Sequence, residues 1–150
     1  MKELYLLLGT NLGDRRANLE EALKRLDKAF GGRRLRCSGI AETASCGFQG
    51  PDFLNMVAVY SSARRPETIL AICKRIERSM GRRDAPEYSP EGRRIYHDRI
   101  IDIDILLYSD VSLQSPSLTI PHPQVWSRPF VMPLLEQTGA KIPPQYCERV

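Results

Sequence analysis

The stretch Arg99-Ile-Ile-Asp-Ile-Asp-Ile-Leu-Leu-Tyr108 decides how this sequence is interpreted. It is rich in isoleucine and leucine and alternates strictly through its middle, which predicts a β-strand. Because side chains two apart on a strand share a face, one alternate set should point into a core, namely Ile101, Ile103, Ile105 and Leu107. Asp102 and Asp104 should then lie side by side on the opposite face, with their Cα atoms roughly 6–7 Å apart.

Two neighbouring carboxylates on a stiff strand repel each other, and a hard divalent cation would relieve that repulsion. Mg²⁺ is usually held by one or two carboxylates together with substrate phosphates. The strand pattern fits a solvated acidic face equally well, because structural ion networks also collect carboxylates. A metal site and a solvated strand face are therefore both open at this point.

The length and composition of the chain predict one globular domain, spanning residues 1–150. With 150 residues it can bury a sizeable core, and its hydrophobic fraction of 42% and charged fraction of 27% are ordinary. The first apolar run, Leu4-Tyr-Leu-Leu-Leu8, is too short for the core of a signal peptide, and no run is long enough to cross a membrane. The four cysteines lack C-x-x-C spacing, so neither a disulfide framework nor a zinc site is expected. We expect a cytoplasmic protein that binds no membrane, as a monomer, with a homodimer as the alternative.

The net charge of +4 is distributed unevenly along the chain. Arginines crowd the segment before the acidic strand, at positions 82, 83, 93, 94 and 99. A solvated loop would show the same pattern, but arginine also forms bidentate contacts with phosphates, and this cluster adjoins the two aspartates. Segment 82–98 lacks apolar periodicity, so we expect a long irregular loop that closes as a lid over phosphate-bearing substrates.

The remaining periodicities predict a β-α-β-β-α-β order, which is the ferredoxin-like pattern. This is an α+β fold in which two helices cover one face of an antiparallel sheet and the other face is free for a ligand. The tail from about residue 118 would form a C-terminal extension with a short strand and a proline-interrupted helical segment. The other predicted elements are strands over 3–8, 34–43 and 53–60, a turn over 9–13, a helix from Asp14 to Gly31 and a helix from Pro66 to Gly81.

Several strings then combine into a recognisable set. They are Gly9-Thr-Asn-Leu-Gly-Asp14, Pro51-Asp-Phe-Leu-Asn55, Arg75-Ile-Glu-Arg-Ser-Met-Gly-Arg82, the acidic strand, Leu118-Thr-Ile-Pro-His-Pro123 and Arg128-Pro-Phe-Val131. Over about residues 4–136 the chain thereby resembles the 6-hydroxymethyl-7,8-dihydropterin pyrophosphokinase family. Enzymes of that family have a ferredoxin-like fold and use two Mg²⁺ ions. They transfer the pyrophosphoryl group of ATP to the hydroxymethyl group of a reduced pterin in folate biosynthesis, leaving AMP.

The resemblance implies a role for each matching residue. The implied catalytic residues are Arg82, Arg99, Asp102 and Asp104, with the two aspartates as metal ligands. The implied pterin-binding residues are Thr43, Phe53, Asn55 and Phe130. The implied ATP-binding residues are Lys74, Glu77, Tyr96, Ile105, Thr119, His122 and Arg128. The chain departs from the family's pattern at Ala44, where proline is common, at Tyr96, which stands for a tryptophan, and at Ser117, where a basic residue is found.

Other interpretations stay open for these residues. A phenylalanine on a strand is more often part of a core, Asn55 could be a satisfied strand-edge amide, and His122 could be a turn histidine. An RNA-binding module could use a basic ferredoxin-like sheet, but the third strand lacks the RNP1 pattern, and we expect no nucleic-acid partner. A palm-like nucleotidyltransferase would share the paired carboxylates, but it would not need Phe53, Asn55 and Phe130.

Overall fold

The protein folds as an antiparallel sheet with helices on both faces. The structure is a computed structural model that describes residues 1–44, 51–81, 90–91 and 100–142, and it describes only the backbone at 87–88 and 94–95. The predicted mixed α and β class with an antiparallel sheet is confirmed. The elements along the chain are β1 (Lys2–Thr10), α1 (Arg15–Ala29), β2 (Arg34–Cys37), β3 (Ala41–Thr43), β4 (Phe53–Ser62), α2 (Pro66–Ser79), β5 (Glu87–Tyr88), β6 (Arg94–Ile95), β7 (Asp102–Tyr108), β8 (Leu113–Gln114), β9 (Thr119–Ile120), α3 (Gln124–Ser127) and α4 (Val131–Gln137). The order in the main sheet is β2-β4-β1-β7, and β3 also pairs with β4.

The two long helices pack on one face of this sheet. The side chain of Asp14 caps α1 by accepting a hydrogen bond from the backbone N–H of Ala17 at 3.1 Å, and Pro66 occupies the first turn of α2. Both predicted helix starts are confirmed. The apolar stripes of the helices close a core over alternate strand residues, which include Leu4, Leu6 and Leu8 of β1, Met56 and Ala58 of β4, and Ile103 and Ile105 of β7.

Two strand predictions need correction. The strand predicted over 34–43 is divided into β2 and β3, and Ser38 in the gap stays joined to β4, since its N–H donates to the Val57 carbonyl and its hydroxyl accepts from the Val57 N–H, both at 2.8 Å. The turn predicted over 9–13 begins too early, because β1 continues through Gly9 to Thr10. It can do so because β4 and β7 both extend to that level and flank it on either side.

The acidic strand also departs from strict alternation. Leu6 pairs with Ile105 and Tyr5 pairs with Leu107, so Leu106 is an extra residue in β7, a β-bulge. Beyond the bulge the faces exchange, and Leu107 lies with Leu106 on the face opposite the isoleucines. The prediction that Leu107 shares their core is therefore wrong, whereas the prediction for the three isoleucines is confirmed.

The second face of the sheet is only partly available to a ligand. α4 lies across one half of it, where Val131, Leu134 and Leu135 form an apolar cluster with residues of β1, β4 and β7. The expectation of a free face is therefore wrong for this half. The predicted C-terminal extension is confirmed as β9 followed by α3 and α4, and Pro133 lies in the first turn of α4.

The segment predicted to be irregular contains regular structure where it is described. β5 and β6 pair with each other in antiparallel orientation, so the expectation is wrong for these residues. The rest of 82–98, with the lid hypothesis that depends on it, lies outside the described residues. In the part of the chain that the structure covers, we find no helix with both the length and the apolar character needed to span a bilayer.

Candidate active site

Three cross-strand rows organise the second face of the sheet. From one end to the other they are Asn55–Gly9–Asp102, Val57–Leu7–Asp104 and Val59–Tyr5–Leu107. We call the first row the polar end and the third row the apolar end. β4, β1 and β7 keep register through the first two rows, and the bulge at Leu106 lies between the second and third rows on β7. The side chains therefore change from polar to apolar over four residues of β1 and of β4 and over five residues of β7.

The two aspartates lie on this face, half-buried, as the alternation predicts. Asp102 belongs to the polar end, and Asp104 lies one row further along. Among the described residues, no group of three or more histidine, cysteine or acidic side chains could hold a metal ion. A cation bound here would therefore take two carboxylates from this pair and complete its shell from phosphates and water. Such a set of hard oxygen ligands fits Mg²⁺.

A glutamine that the sequence analysis did not single out holds one of these carboxylates. The side-chain Nε2 of Gln124 donates to Oδ2 of Asp104 at 2.9 Å, and its Oε1 accepts from Nη1 of Arg128 at 3.5 Å. The Arg128 guanidinium in turn lies over the Phe130 ring, 5.1 Å from its centre. A continuous series of contacts thus runs from Asp104 to Phe130. Twenty residues separate Gln124 from Asp104 in the sequence, so no local pattern could have indicated this bond.

The His122 ring is held as a neutral donor. Its backbone N–H donates to the Leu106 carbonyl at 2.9 Å, and its Nδ1 accepts from the backbone N–H of Gln124 at 3.1 Å. An acceptor Nδ1 leaves the ring proton on Nε2. Burial lowers the pKa of the imidazole, and the negative charge of Asp104 opposes that shift without reversing it. The Nε2–H group can therefore donate to an anionic ligand.

A cleft of about 300 Å³ adjoins Asp104 and is bounded on one side by the β8–β9 hairpin. Ser115 closes this hairpin through a hydrogen bond from its N–H to the Leu118 carbonyl at 3.0 Å. The cleft brings together four of the residues that the family resemblance links to ATP, which are Lys74, Ile105, Thr119 and His122. Asp104 lines the same cleft, so one carboxylate of the acidic pair borders the candidate nucleotide site.

Glu77 occupies a different position from the four predicted ATP-binding residues in the cleft. Its side chain is 1% exposed, and Oε2 accepts from the backbone N–H of Ile103 at 2.7 Å. Its Oε1 lies 4.0 Å from the Lys74 ammonium. Glu77 therefore ties α2 to the acidic strand between the two aspartates, and it is not among the described residues that line the cleft.

Asn55 of the polar end and two residues beside it, Thr43 and Phe53, are predicted pterin-binding residues. The Asn55 amide donates to the Thr43 hydroxyl at 2.9 Å and to the Ala41 carbonyl at 3.3 Å, and this orients its Oδ1 towards Gly9. A Cβ atom placed on Gly9 would lie 3.2 Å from that oxygen and 3.6 Å from Cδ1 of Phe53. Gly9 therefore keeps the sheet surface between Asn55 and Asp102 clear, as a strand glycine does where a ligand approaches closely. This role of Gly9 was not predicted, because a glycine at this position of the sequence indicates a turn.

The structure does not bring all of the predicted residues together. Phe130 lies at the start of α4 and packs against the apolar cluster, and no ring contact joins it to Phe53 within the described residues. Arg82, Tyr96 and Arg99 lie outside the described residues.

Comparison with known proteins identifies the family of this chain. The family model for 7,8-dihydro-6-hydroxymethylpterin-pyrophosphokinase matches residues 5–139. The chain is 48% identical over 137 residues to the 2-amino-4-hydroxy-6-hydroxymethyldihydropteridine pyrophosphokinase of Porphyromonas gingivalis, covering 89% of each chain. It is 34% identical over 148 residues to the protein of the same name from Aquifex aeolicus, covering 97% of this chain and 86% of that one. It is also 40% identical over 143 residues to the mitochondrial folate synthesis bifunctional protein of Pisum sativum, covering 94% of this chain and 26% of that one. This chain therefore belongs to the 7,8-dihydro-6-hydroxymethylpterin-pyrophosphokinase family and is an ATP-dependent pyrophosphokinase.

Proposed function

We propose that this protein transfers the pyrophosphoryl group of ATP to the hydroxymethyl group of 6-hydroxymethyl-7,8-dihydropterin, giving AMP and the pterin pyrophosphate in folate biosynthesis. The observation that carries the proposal is the position of the acidic pair. Asp102 shares a row with Gly9 and Asn55, whereas Asp104 lines the cleft that contains the predicted ATP-binding residues. The two carboxylates thus lie where a site for the acceptor and a site for the nucleotide meet.

In the proposed reaction the pterin hydroxyl oxygen attacks the β-phosphorus of ATP in line with the bond to be broken. A new oxygen–phosphorus bond forms, the bond from the β-phosphorus to the oxygen bridging the α-phosphorus breaks, and the electron pair leaves with AMP. The hydroxyl proton is released. Phosphoryl transfer depends mainly on positioning and on neutralising charge, and two Mg²⁺ ions bound at Asp102 and Asp104 would neutralise the charge on the phosphates.

The residues of the cleft would hold the nucleotide. The Lys74 ammonium would supply positive charge at the phosphates, and the His122 Nε2–H would donate a hydrogen bond to a phosphate oxygen. Ile105 and Thr119 would contact the rest of the nucleotide. We assign Glu77 a supporting role, because its buried carboxylate fixes the strand that carries both aspartates.

The pterin would bind over Gly9 at the polar end. A pterin is flat and has polar edges, so it needs aromatic faces and an amide partner. Asn55 offers its Oδ1 to the donors of the pterin edge, and the Thr43 hydroxyl keeps that amide in the required orientation. Phe53 lies beside Gly9 and would stack on the ring, with Phe130 as the second aromatic residue.

Several wider assignments stay predictions. Arg82 and Arg99 would bind phosphates, and Tyr96 and Arg128 would contact the nucleotide. The strand order β2-β4-β1-β7 supports the ferredoxin-like assignment. We further propose a single domain that acts as a cytoplasmic monomer on two small-molecule substrates, without binding nucleic acid or a membrane.

A product assay tests this function directly. The protein is incubated with ATP, Mg²⁺ and the reduced pterin, and the products are separated by chromatography. We expect AMP and pyrophosphorylated pterin in equal amounts. Release of inorganic pyrophosphate would favour a nucleotidyltransferase, and the absence of turnover would favour a binding module.

A further inference from the structure

We propose that Gln124 is a positioning residue that aims the Asp104 carboxylate at a bound cation, an inference that rests on the proposed metal role of Asp104. Gln124 is the first residue of α3 and reaches β7 through its side chain. Within the described part of the chain, its amide is the one side-chain group that donates a hydrogen bond to this carboxylate.

The two neighbours of the amide fix its orientation. Nε2 faces Oδ2 of Asp104 at 2.9 Å, and Oε1 faces Nη1 of Arg128 at 3.5 Å. A flipped amide would set oxygen against carboxylate and NH₂ against guanidinium, and both contacts would be repulsive. The hydrogen bond therefore engages Oδ2, restrains rotation of the carboxylate and directs its second oxygen, Oδ1, to the cation.

The backbone from which the Gln124 side chain extends is also held in place. Its backbone N–H donates to the His122 Nδ1 at 3.1 Å, and the following residue, Val125, is 1% exposed within the apolar cluster. One residue thus sets the proton position of the His122 ring through its backbone and the orientation of Asp104 through its side chain.

The neutrality of the amide matters for this role. A lysine or arginine at the same position would also hold the carboxylate, but its charge would offset that of Asp104 and weaken the attraction for a divalent cation. Glutamine orients the ligand and leaves its full negative charge available. Outer groups of this kind affect metal affinity without touching the metal themselves.

Manganese binding in the presence of α,β-methylene ATP tests the proposal, because this analogue carries the phosphates but cannot be cleaved at the reacting bond. Electron paramagnetic resonance measures the concentrations of free and bound Mn²⁺. Gln124→Met keeps the length of the side chain and removes the amide, and we expect it to weaken Mn²⁺ binding by about 10–100-fold. Gln124→Lys keeps a donor but adds a charge, and it should also weaken Mn²⁺ binding.

Gln137→Met is the matched control. The Oε1 of Gln137 accepts a hydrogen bond from the Gly39 N–H at 2.8 Å, so this variant also removes a long-range amide contact, at a place remote from Asp104. Manganese affinity should stay at the wild-type value in this control. The melting temperature of each variant is measured alongside, and Gln124→Met should melt close to the wild type.

Asp104→Asn separates this inference from the proposed function. If Asp104→Asn loses Mn²⁺ while both Gln124 variants bind it normally, Gln124 has no positioning role, although the metal role of Asp104 stands. An equal loss in Gln124→Met and Gln137→Met would also overturn the inference, because the effect would not be specific. If Asp104→Asn binds Mn²⁺ like the wild type, the metal role of Asp104 and the inference fall together.

Discussion

The two ends of one sheet face serve opposite purposes in this protein. At the apolar end, Val59, Tyr5 and Leu107 form a row beneath the extension that carries α4. At the polar end, the same three strands present Asn55, Gly9 and Asp102. The backbone is continuous between the two rows, so the difference lies in the side chains. Four residues along β1 and β4, and five along β7, separate the core from the candidate site.

The apolar end satisfies its polar groups internally. Tyr5 is 4% exposed, and its hydroxyl donates to the Glu3 carboxylate at 2.7 Å. Burial raises the pKa of Tyr5 to about 12, and the hydrogen bond to Glu3 adds to that shift. Asp102 of the polar end instead lies close to the like charge of Asp104 in the next row, and this repulsion opposes folding in the absence of a cation. Stability should therefore depend mainly on the apolar end and turnover on the polar end, and substitutions can test the two separately.

The largest effect is expected for the acidic pair. Asp102→Asn or Asp104→Asn keeps the shape of the side chain but removes a charge that the proposed metal site needs. Turnover should fall by about 10²–10³-fold or more, since electrostatic stabilisation of the transition state is lost. The free energy of unfolding should not decrease, because neither carboxylate lies in the apolar core. Steady-state kinetics at saturating Mg²⁺ and urea unfolding measure the two quantities.

Asp110→Asn serves as the control for this pair. Asp110 is exposed just beyond the end of β7, so its substitution should leave turnover at the wild-type rate. Near-normal turnover in both Asp102→Asn and Asp104→Asn would return the acidic strand to a solvated face.

A substitution at the apolar end should produce the reverse result. Leu135 of α4 is fully buried, and Leu135→Ala should lower the free energy of unfolding by about 2–5 kcal/mol through lost burial and a cavity. Turnover per folded molecule should change little. Leu35→Ala, at a residue that is 45% exposed, should cost far less stability. Loss of turnover in fully folded Leu135→Ala would mean that the two ends are not separable.

Phe130 combines a packing role with a proposed binding role. Its ring packs against the apolar cluster and is also proposed to stack on the pterin. Phe130→Ala should weaken pterin binding by about 1–3 kcal/mol and affect ATP binding less. Phe130→Leu keeps apolar bulk on the cluster and removes the ring, so it should retain stability while still weakening pterin binding. Calorimetry with the pterin in the presence of α,β-methylene ATP measures the affinities. Unchanged pterin affinity in Phe130→Leu would restrict this residue to a packing role.

The smallest effect is expected for Gly9, the middle residue of the polar end. Gly9→Ala adds a Cβ atom 3.2 Å from Asn55 Oδ1, where the pterin edge is proposed to bind. We expect pterin affinity to fall by about ten-fold, which corresponds to roughly 1.4 kcal/mol, with little change in stability. Gly39→Ala crowds a comparable amide oxygen, that of Gln137 at 3.3 Å, away from the site. Equal pterin affinities in the two variants would argue against a pterin over Gly9.

The sequence predicted those features that depend on local periodicity. Alternation along the acidic strand correctly set Asp102 and Asp104 on the face opposite Ile103, and helical spacing with an N-cap and a proline located both long helices. The prediction failed at Leu107, because a bulge depends on pairing with β1 rather than on the composition of β7. It failed at Gly9 because glycine indicates a turn unless both neighbouring strands are known to extend alongside it.

The candidate site was predictable only through the strings that identify the family. Composition and spacing left the two aspartates equally compatible with a solvated strand, and they favoured a packing role for Phe53 and Phe130. No sequence pattern indicated the role of Gln124, because its hydrogen bond to Asp104 forms only when α3 folds back on β7. The position of α4 over half of a sheet face is likewise a tertiary feature that the periodicity of the tail did not indicate.

Locating the metal ions in a ternary complex tests the proposed site most directly. Crystals of the protein with α,β-methylene ATP, Mn²⁺ and the pterin would reveal manganese by anomalous diffraction. We expect two manganese peaks about 2 Å from oxygens of Asp102 and Asp104, with the pterin ring over Gly9 and its edge at Asn55. Manganese bound elsewhere, or a pterin located away from the polar end, would contradict the proposed site.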